Sequence, residues 1–313
     1  MKRERILVTS GEVRKLVTLR EDAFDIAVLT DHADRDGWLA ENGRGIRAVL
    51  CSGMERFDAA RFDLLPDLEL LSVIAAGMAG IDLDAARDRS IVVTNAGDLN
   101  AGDVADFAVT LLLGHRRELF AADHFVRSGQ WPERRMRAGG SIASQKVGII
   151  GLGHIGRAVA DRMQPFGCEI RWWGPNPKPD APWGRMETPQ ELAEWATTLV
   201  IAAAGNDHTR GLVDAAMLEA LGPDGLVVNV SRGFVIDEAA MKAALRDGRL
   251  GGAALDVVAR EPDDGSGWAD VPNVILAPHI AGATREAFAA VMAGAVNNIE
   301  RLFAGEPLLR RVV

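Results

Sequence analysis

Three short stretches in the second half of the chain place polar side chains directly behind apolar runs. NVSRGFVID carries Arg232, ALDVVAREP carries Asp256 and Glu261, and LAPHIAGAT carries His279. A guanidinium offers a planar fork that grips a carboxylate at two points, which an ammonium does not. An imidazole exchanges a proton near neutral pH, and a carboxylate beside it fixes the ring. Together they are equipment for holding a small acid and moving a proton on it. Singly, each has a plainer reading: His279 caps a loop after Pro278, Arg232 is a surface arginine, and Glu261 is a turn residue. Their shared position weighs against that, because ligands of open α/β sheets bind beyond the C-terminal strand ends.

Upstream, residues 146–157 read KVGIIGLGHIGR, with Gly151, Gly153 and Gly156 spaced G-x-G-x-x-G behind an apolar run. The first glycine permits a tight turn, the second lets backbone approach a pyrophosphate, and the third lets the helix pack on the strand. His154 and Ile155 open the helix, whose free N–H groups and dipole favour an anion. A dinucleotide is expected at Gly151, Gly153, His154, Ile155 and Gly156. The alternative is a structural turn in a chain with 33 glycines. The strand before, the helix after and a second strand at EIRWW favour the nucleotide.

For NAD, an Asp or Glu roughly twenty residues on would hold the ribose 2′-hydroxyl. In IRWWGPNPKP, Gly174 takes that place. A carboxylate would repel a 2′-phosphate, so its loss admits NADP, with Asn176 supplying a hydrogen bond and Lys178 a charge. NADP is favoured over NAD. The alternative leaves Lys178 solvated and the site indifferent.

The elements that must position these groups alternate between β-type runs and helical stretches, the pattern of an α/β protein with parallel sheets. RILVT, DIAVL, IRAVL, LELLSVI and SIVVT form a first series. KVGIIG, EIRWW, TLVIAAA, GLVVNV, GGAALDV and NVILA form a second. None alternates with polar residues, as expected of strands covered on both faces. Two long helices are expected, one over 101–128 stopped by Gly129 and one over 284–304 closed by Gly305. They suggest that the chain crosses twice between a domain of residues 1–98 and 286–313 and an inserted domain of 99–285. Closure about them would exclude water.

A length of 313 residues fits about two domains. The 48% hydrophobic and 25% charged content is that of a globular protein, and a net charge of −9 disfavours a nucleic-acid partner. No run reaches the roughly 20 apolar residues of a membrane span. Cys51 and Cys168 stand far apart without metal-ligand spacing, so no metal site is expected and a reducing cytoplasm is the default.

The order and spacing of GLGHIG, SRG, DVVAREP and PHIAG resemble the D-isomer-specific 2-hydroxyacid dehydrogenase family over nearly the whole chain. VTNAGDLNAGDVADFAVTLLL, LGPDGLVVNVSRG and GEPLLRRVV are most similar to its hydroxyphenylpyruvate, hydroxypyruvate and glyoxylate reductases, which commonly use NADPH. The resemblance implies a flavodoxin-like substrate domain and a Rossmann cofactor domain. It implies that Arg232 orients the carboxylate and carbonyl of a 2-oxo acid, that His279 protonates the carbonyl oxygen, and that Glu261 partners His279. It assigns Asp256 to the nicotinamide carboxamide and the amides of Ala76, Gly77 and Met78, in AAGMAGID, to the substrate carboxylate. It also implies a homodimer paired through the cofactor domain, with WPERRMRAGGSIAS as a candidate arm; its Arg134, Arg135 and Arg137 are equally consistent with solvated residues. Two positions depart from the pattern. Pro175 stands where NADPH-type relatives place an arginine, and Ala79 replaces a polar residue of the substrate loop. Rival readings are an NAD-dependent oxidative dehydrogenase and a dinucleotide-sensing regulator, the latter disfavoured by retention of Arg232, Glu261 and His279.

Overall fold

The structure, a computed structural model, describes residues 3–78 and 80–313, so the Ala79 departure lies outside the described residues. The chain divides into two compact units, Met1–Asn100 with Arg285–Val313, and Ala101–Thr284.

In the first unit, β1 (Glu4–Val8), β2 (Phe24–Val28), β3 (Ile46–Cys51), β4 (Leu70–Val73) and β5 (Val92–Thr94) form one parallel sheet. Its order, β2-β1-β3-β4-β5, is the flavodoxin-like one. Successive side chains enter opposite cores, as the period of two requires. Leu7, Val49 and Leu71 pack with Phe57 and Phe62. Ile6, Leu50 and Leu70 pack with Val291, Val296 and Ile299 of the helix Arg285–Ala304. That helix ends where the sequence expects, at Gly305 with φ 69°.

In the second unit, β6 (Lys146–Ile150), β7 (Glu169–Trp173), β8 (Gly184–Arg185), β9 (Thr198–Ile201), β10 (Leu226–Asn229), β11 (Gly252–Leu255) and β12 (Val274–Leu276) are again parallel. Their order is β12-β11-β10-β9-β6-β7-β8. The direction of winding reverses between β6 and β9, which makes their C-terminal ends the ligand crevice of a Rossmann sheet. Every residue of β9, β10 and β11 is buried. Leu199 and Ile201 face the core holding Leu192, Met217 and Met241, while Val200 faces the core holding Val104, Leu111 and Leu112.

Two details differ from the sequence expectation. The helix expected over 101–128 is two, Ala101–Arg116 and Leu119–Arg127, separated by Glu118 at φ 51°. Gly114 leaves room for the Phe120 ring of the second helix, since a Cβ there would sit 3.2 Å from it. β8 is the second: two residues, Gly and Arg, carry no apolar run to read. Among the described residues no helix is long and apolar enough to cross a membrane.

Candidate active site

The glycine turn occupies the reversal point. Gly151 follows β6 at φ 92°, and its N–H donates to the Trp173 carbonyl at 2.8 Å. A Cβ at Gly151 would lie 2.6 Å from Ala203 Cα, and one at Gly156 would lie 2.0 Å from the Gly151 oxygen. Both positions are therefore restricted to glycine by contact with backbone. Gly153 differs, for a Cβ there meets nothing within 4 Å. It is the open side of the turn. The helix His154–Met163 starts from Gly153 with no side-chain cap, which leaves its first-turn amides for an anion. His154 is exposed there and Ile155, partly buried, packs against the core. This cradle fits a dinucleotide pyrophosphate. Beyond β7, Gly174 is buried, while Asn176 and Lys178 stand exposed on the following turn.

The polar residues singled out from the sequence gather beyond the ends of β10, β11 and β12. His279 Nδ1 lies 2.5 Å from Glu261 Oε2, and Glu261 Oε1 accepts the Val258 N–H at 3.1 Å. The carboxylate takes the Nδ1 side, so Nε2 is the nitrogen left to carry a proton outward. Both side chains are partly exposed, at 46% and 34%. They line a cavity of about 590 Å³ together with Asp256, Trp268, Leu276 and Pro278.

The His279 backbone sits at φ 57°, a left-handed conformation that costs a non-glycine residue roughly 1 kcal/mol or more. Asp256 holds it there. The His279 N–H donates to the Asp256 carbonyl at 2.8 Å. The Asp256 carboxylate, buried to 2% exposure, accepts the N–H of Ile280 at 2.8 Å and of Ala281 at 2.9 Å. These bonds use two of the carboxylate's roughly four acceptor positions, and the others remain for a ligand amide.

Arg232 follows β10. Its Nη1 donates to the Ser231 carbonyl at 2.7 Å, and among the described residues it has no carboxylate partner. Three residues that the sequence reading passed over set its position. Asn229, fully buried, donates Nδ2 to the Arg232 carbonyl at 3.0 Å and accepts the Ser231 N–H at 3.0 Å. Gly233 packs so tightly on the next strand end that a Cβ would fall 1.9 Å from the Val258 carbonyl carbon, which ties the arginine loop to the one carrying Glu261. Gly205 lies beneath the arginine itself: a Cβ would fall 2.3 Å from Arg232 Cγ. A polar residue closing an apolar strand was the available signal for Asn229; the two glycines carry none.

In the first unit, the loop after β4 carries Ala76, Gly77 and Met78. The carbonyls of Ala76 and Met78 accept from Asn95 Nδ2 and the Ile81 N–H, at 2.9 and 3.1 Å. The N–H groups of Ala76, Gly77 and Met78 have no acceptor among the described residues. Gly53 permits the loop, since a Cβ there would lie 1.8 Å from the Gly77 oxygen. Three successive amides without an acceptor among the described residues are the kind of group that suits an anion.

Residues 109–281 match the family described as D-isomer specific 2-hydroxyacid dehydrogenase, NAD binding domain. The chain belongs to that family. Among its members, a glyoxylate/hydroxypyruvate reductase of Arabidopsis thaliana is 36% identical, over 94% of this chain and 94% of its own. A hydroxyphenylpyruvate reductase of Plectranthus scutellarioides is 37% identical, over 91% of this chain and 90% of its own. The solved NADPH-dependent glyoxylate/hydroxypyruvate reductase of Sinorhizobium meliloti, in complex with NADP and malonate, has a TM-score of 0.87 at 32% identity. It covers 100% of this chain and 97% of its own. The 2-hydroxyacid dehydrogenase described here is thus a nicotinamide-dependent oxidoreductase that interconverts 2-oxo and 2-hydroxy acids.

Proposed function

We propose that the enzyme works as a reductase, taking glyoxylate, hydroxypyruvate or an aryl pyruvate to the D-2-hydroxy acid with NADPH in preference to NADH. The observation that carries the reading is the 2.5 Å His279–Glu261 pair at the strand ends of the sheet that bears the glycine cradle. The turn of Gly151, Gly153 and Gly156 would hold the pyrophosphate of a reduced nicotinamide dinucleotide, which would supply hydride for the carbonyl carbon of the acid. His279, with Glu261 on Nδ1, delivers a proton from Nε2 as negative charge grows on the carbonyl oxygen. Arg232 has free donors for the carboxylate and carbonyl, and the amides of Ala76, Gly77 and Met78 suit a carboxylate. Asp256 keeps acceptor positions for the nicotinamide carboxamide while fixing the His279 backbone.

The preference for NADPH rests on Gly174, which puts no carboxylate where a ribose 2′-phosphate would lie, and on the NADP bound by the related reductase of Sinorhizobium meliloti. Asn176 and Lys178 flank the same turn. A comparison of kcat/KM for the two cofactors tests this, with NADPH expected ahead by roughly tenfold or more, the yield of one charge-assisted contact. A preference for NADH would reverse the reading.

The reading extends to assembly and place. Leu119, Phe120 and Trp131 are 60%, 57% and 67% exposed on the segment that precedes the cradle, an apolar surface suited to a second copy of the chain. Two unpaired cysteines suit the cytoplasm.

A further inference from the structure

If NADPH is the cofactor, a cation must meet its 2′-phosphate, and Pro175 has displaced the arginine expected after β7. The cations around that turn are mostly engaged. Arg157 pairs with Asp180 at 2.9 Å. Arg171 stacks on the Trp195 ring at 4.7 Å. Lys178 is exposed on the turn, with its backbone carbonyl holding the Ala181 N–H.

Arg185 is different. It stands on β8, the strand beside β7, in register with Trp172. Its guanidinium lies over the Trp172 ring at 5.8 Å, and Nη2 donates to the Gly174 carbonyl at 3.0 Å. Gly174 is the residue that replaces the carboxylate of an NAD site. Arg185 is partly buried, has no carboxylate within 4.0 Å among the described residues, and its buried Nε has no hydrogen-bond partner. A half-buried cation without a counter-ion is costly unless an anion completes it. A phosphate, with a charge near −2 and three acceptor oxygens, matches the planar fork.

We propose that Arg185 is the cation that receives the 2′-phosphate of NADP, supplied from the neighbouring strand instead of from the turn itself. The proposal rests on the NADPH reading above. In it, the Trp172 face and the Gly174 carbonyl hold the guanidinium in place, and its remaining donors meet the phosphate.

Titration calorimetry with adenosine 2′,5′-bisphosphate and adenosine 5′-monophosphate tests the assignment without turnover. The wild-type enzyme is expected to bind the bisphosphate more tightly. Arg185→Gln, which retains a donor for Gly174, should weaken the bisphosphate by roughly tenfold or more and leave the monophosphate unchanged. In parallel, kcat/KM should fall for NADPH and hold for NADH. A variant that still favours the bisphosphate overturns the role of Arg185 and leaves the NADPH reading standing, with Lys178→Gln then expected to lose the preference. Equal loss of both ligands also overturns it, since the residue would then merely support the turn. A wild-type enzyme indifferent to the 2′-phosphate refutes the NADPH reading and this proposal with it. Should the glutamine variant fail to fold, Arg185→Lys keeps the charge and loses the fork. It is expected to weaken the bisphosphate alone, and an unchanged bisphosphate affinity would count against the proposal.

Discussion

His279 owes its position to residues far from it along the chain. Glu261 holds the ring and Asp256 holds the backbone, through bonds that span 18 and 24 residues. His279→Ala is expected to lower kcat by about 10²–10⁴-fold while the NADPH dissociation constant stays near wild type. Steady-state rates alongside calorimetry separate the two, and normal turnover would remove His279 from the reaction. Gly205→Ala should act on Arg232 instead. A methyl group 2.3 Å from Arg232 Cγ must move the guanidinium, and a displacement of that order costs roughly 10–100-fold in kcat/KM for the 2-oxo acid. Cofactor affinity is expected to hold, and wild-type kinetics would show that the arginine tolerates the shift. That Arg232, Glu261 and His279 lie in the loops beyond strand ends was legible in the sequence because each loop follows an apolar run. The clamp by Asp256 and the clearance at Gly205 were not. Backbone N–H groups leave no mark in a sequence, and a glycine needed for its neighbour's side chain looks like any other.

At the scale of elements, eleven of the twelve strands among the described residues could be read as apolar-rich runs without polar alternation, as strands covered on both faces tend to be. β8 escaped notice, and with it Arg185, because two residues at a sheet edge bury too little to impose a pattern. The break at Glu118 escaped too, since the packing of Phe120 over Gly114 is a tertiary choice. That break leaves the end of the helix Ala101–Arg116 against the sheet. Arg116 donates to Thr198 Oγ1 at 2.9 Å and to the Asp224 carbonyl at 2.8 Å, and burial lowers its pKa to about 10. His115 lies 3.0 Å from the Asn273 carbonyl. Burial holds its pKa below the ordinary 6.5, with Arg116 adding to that effect and the Asn273 carbonyl and Glu118 opposing it. The unfolded chain therefore binds the extra proton first, so stability present at neutral pH is lost as pH falls below about 6.5. Melting temperatures across that interval should decline less steeply for His115→Gln than for wild type. Parallel curves would mean that the imidazole does not titrate with unfolding.

For the whole molecule, the parallel sheets and the gathering of polar residues beyond their strand ends were legible from composition, run length and motif order, whereas assembly depends on surface shape. The exposed Leu119, Phe120 and Trp131 predict a dimer. Size-exclusion chromatography with light scattering should give a mass near twice the 33.5 kDa of one chain, and Phe120→Asp should shift it toward one. A wild-type protein at the single-chain mass would refute the pairing. The central claim, that these strand ends reduce a 2-oxo acid with a nicotinamide cofactor, is tested most directly by one assay. Glyoxylate, hydroxypyruvate and hydroxyphenylpyruvate are each offered with NADPH and with NADH, and cofactor oxidation is followed by absorbance. The account predicts turnover of at least one acid, faster with NADPH and suppressed in His279→Ala; no oxidation with any acid and either cofactor would contradict it.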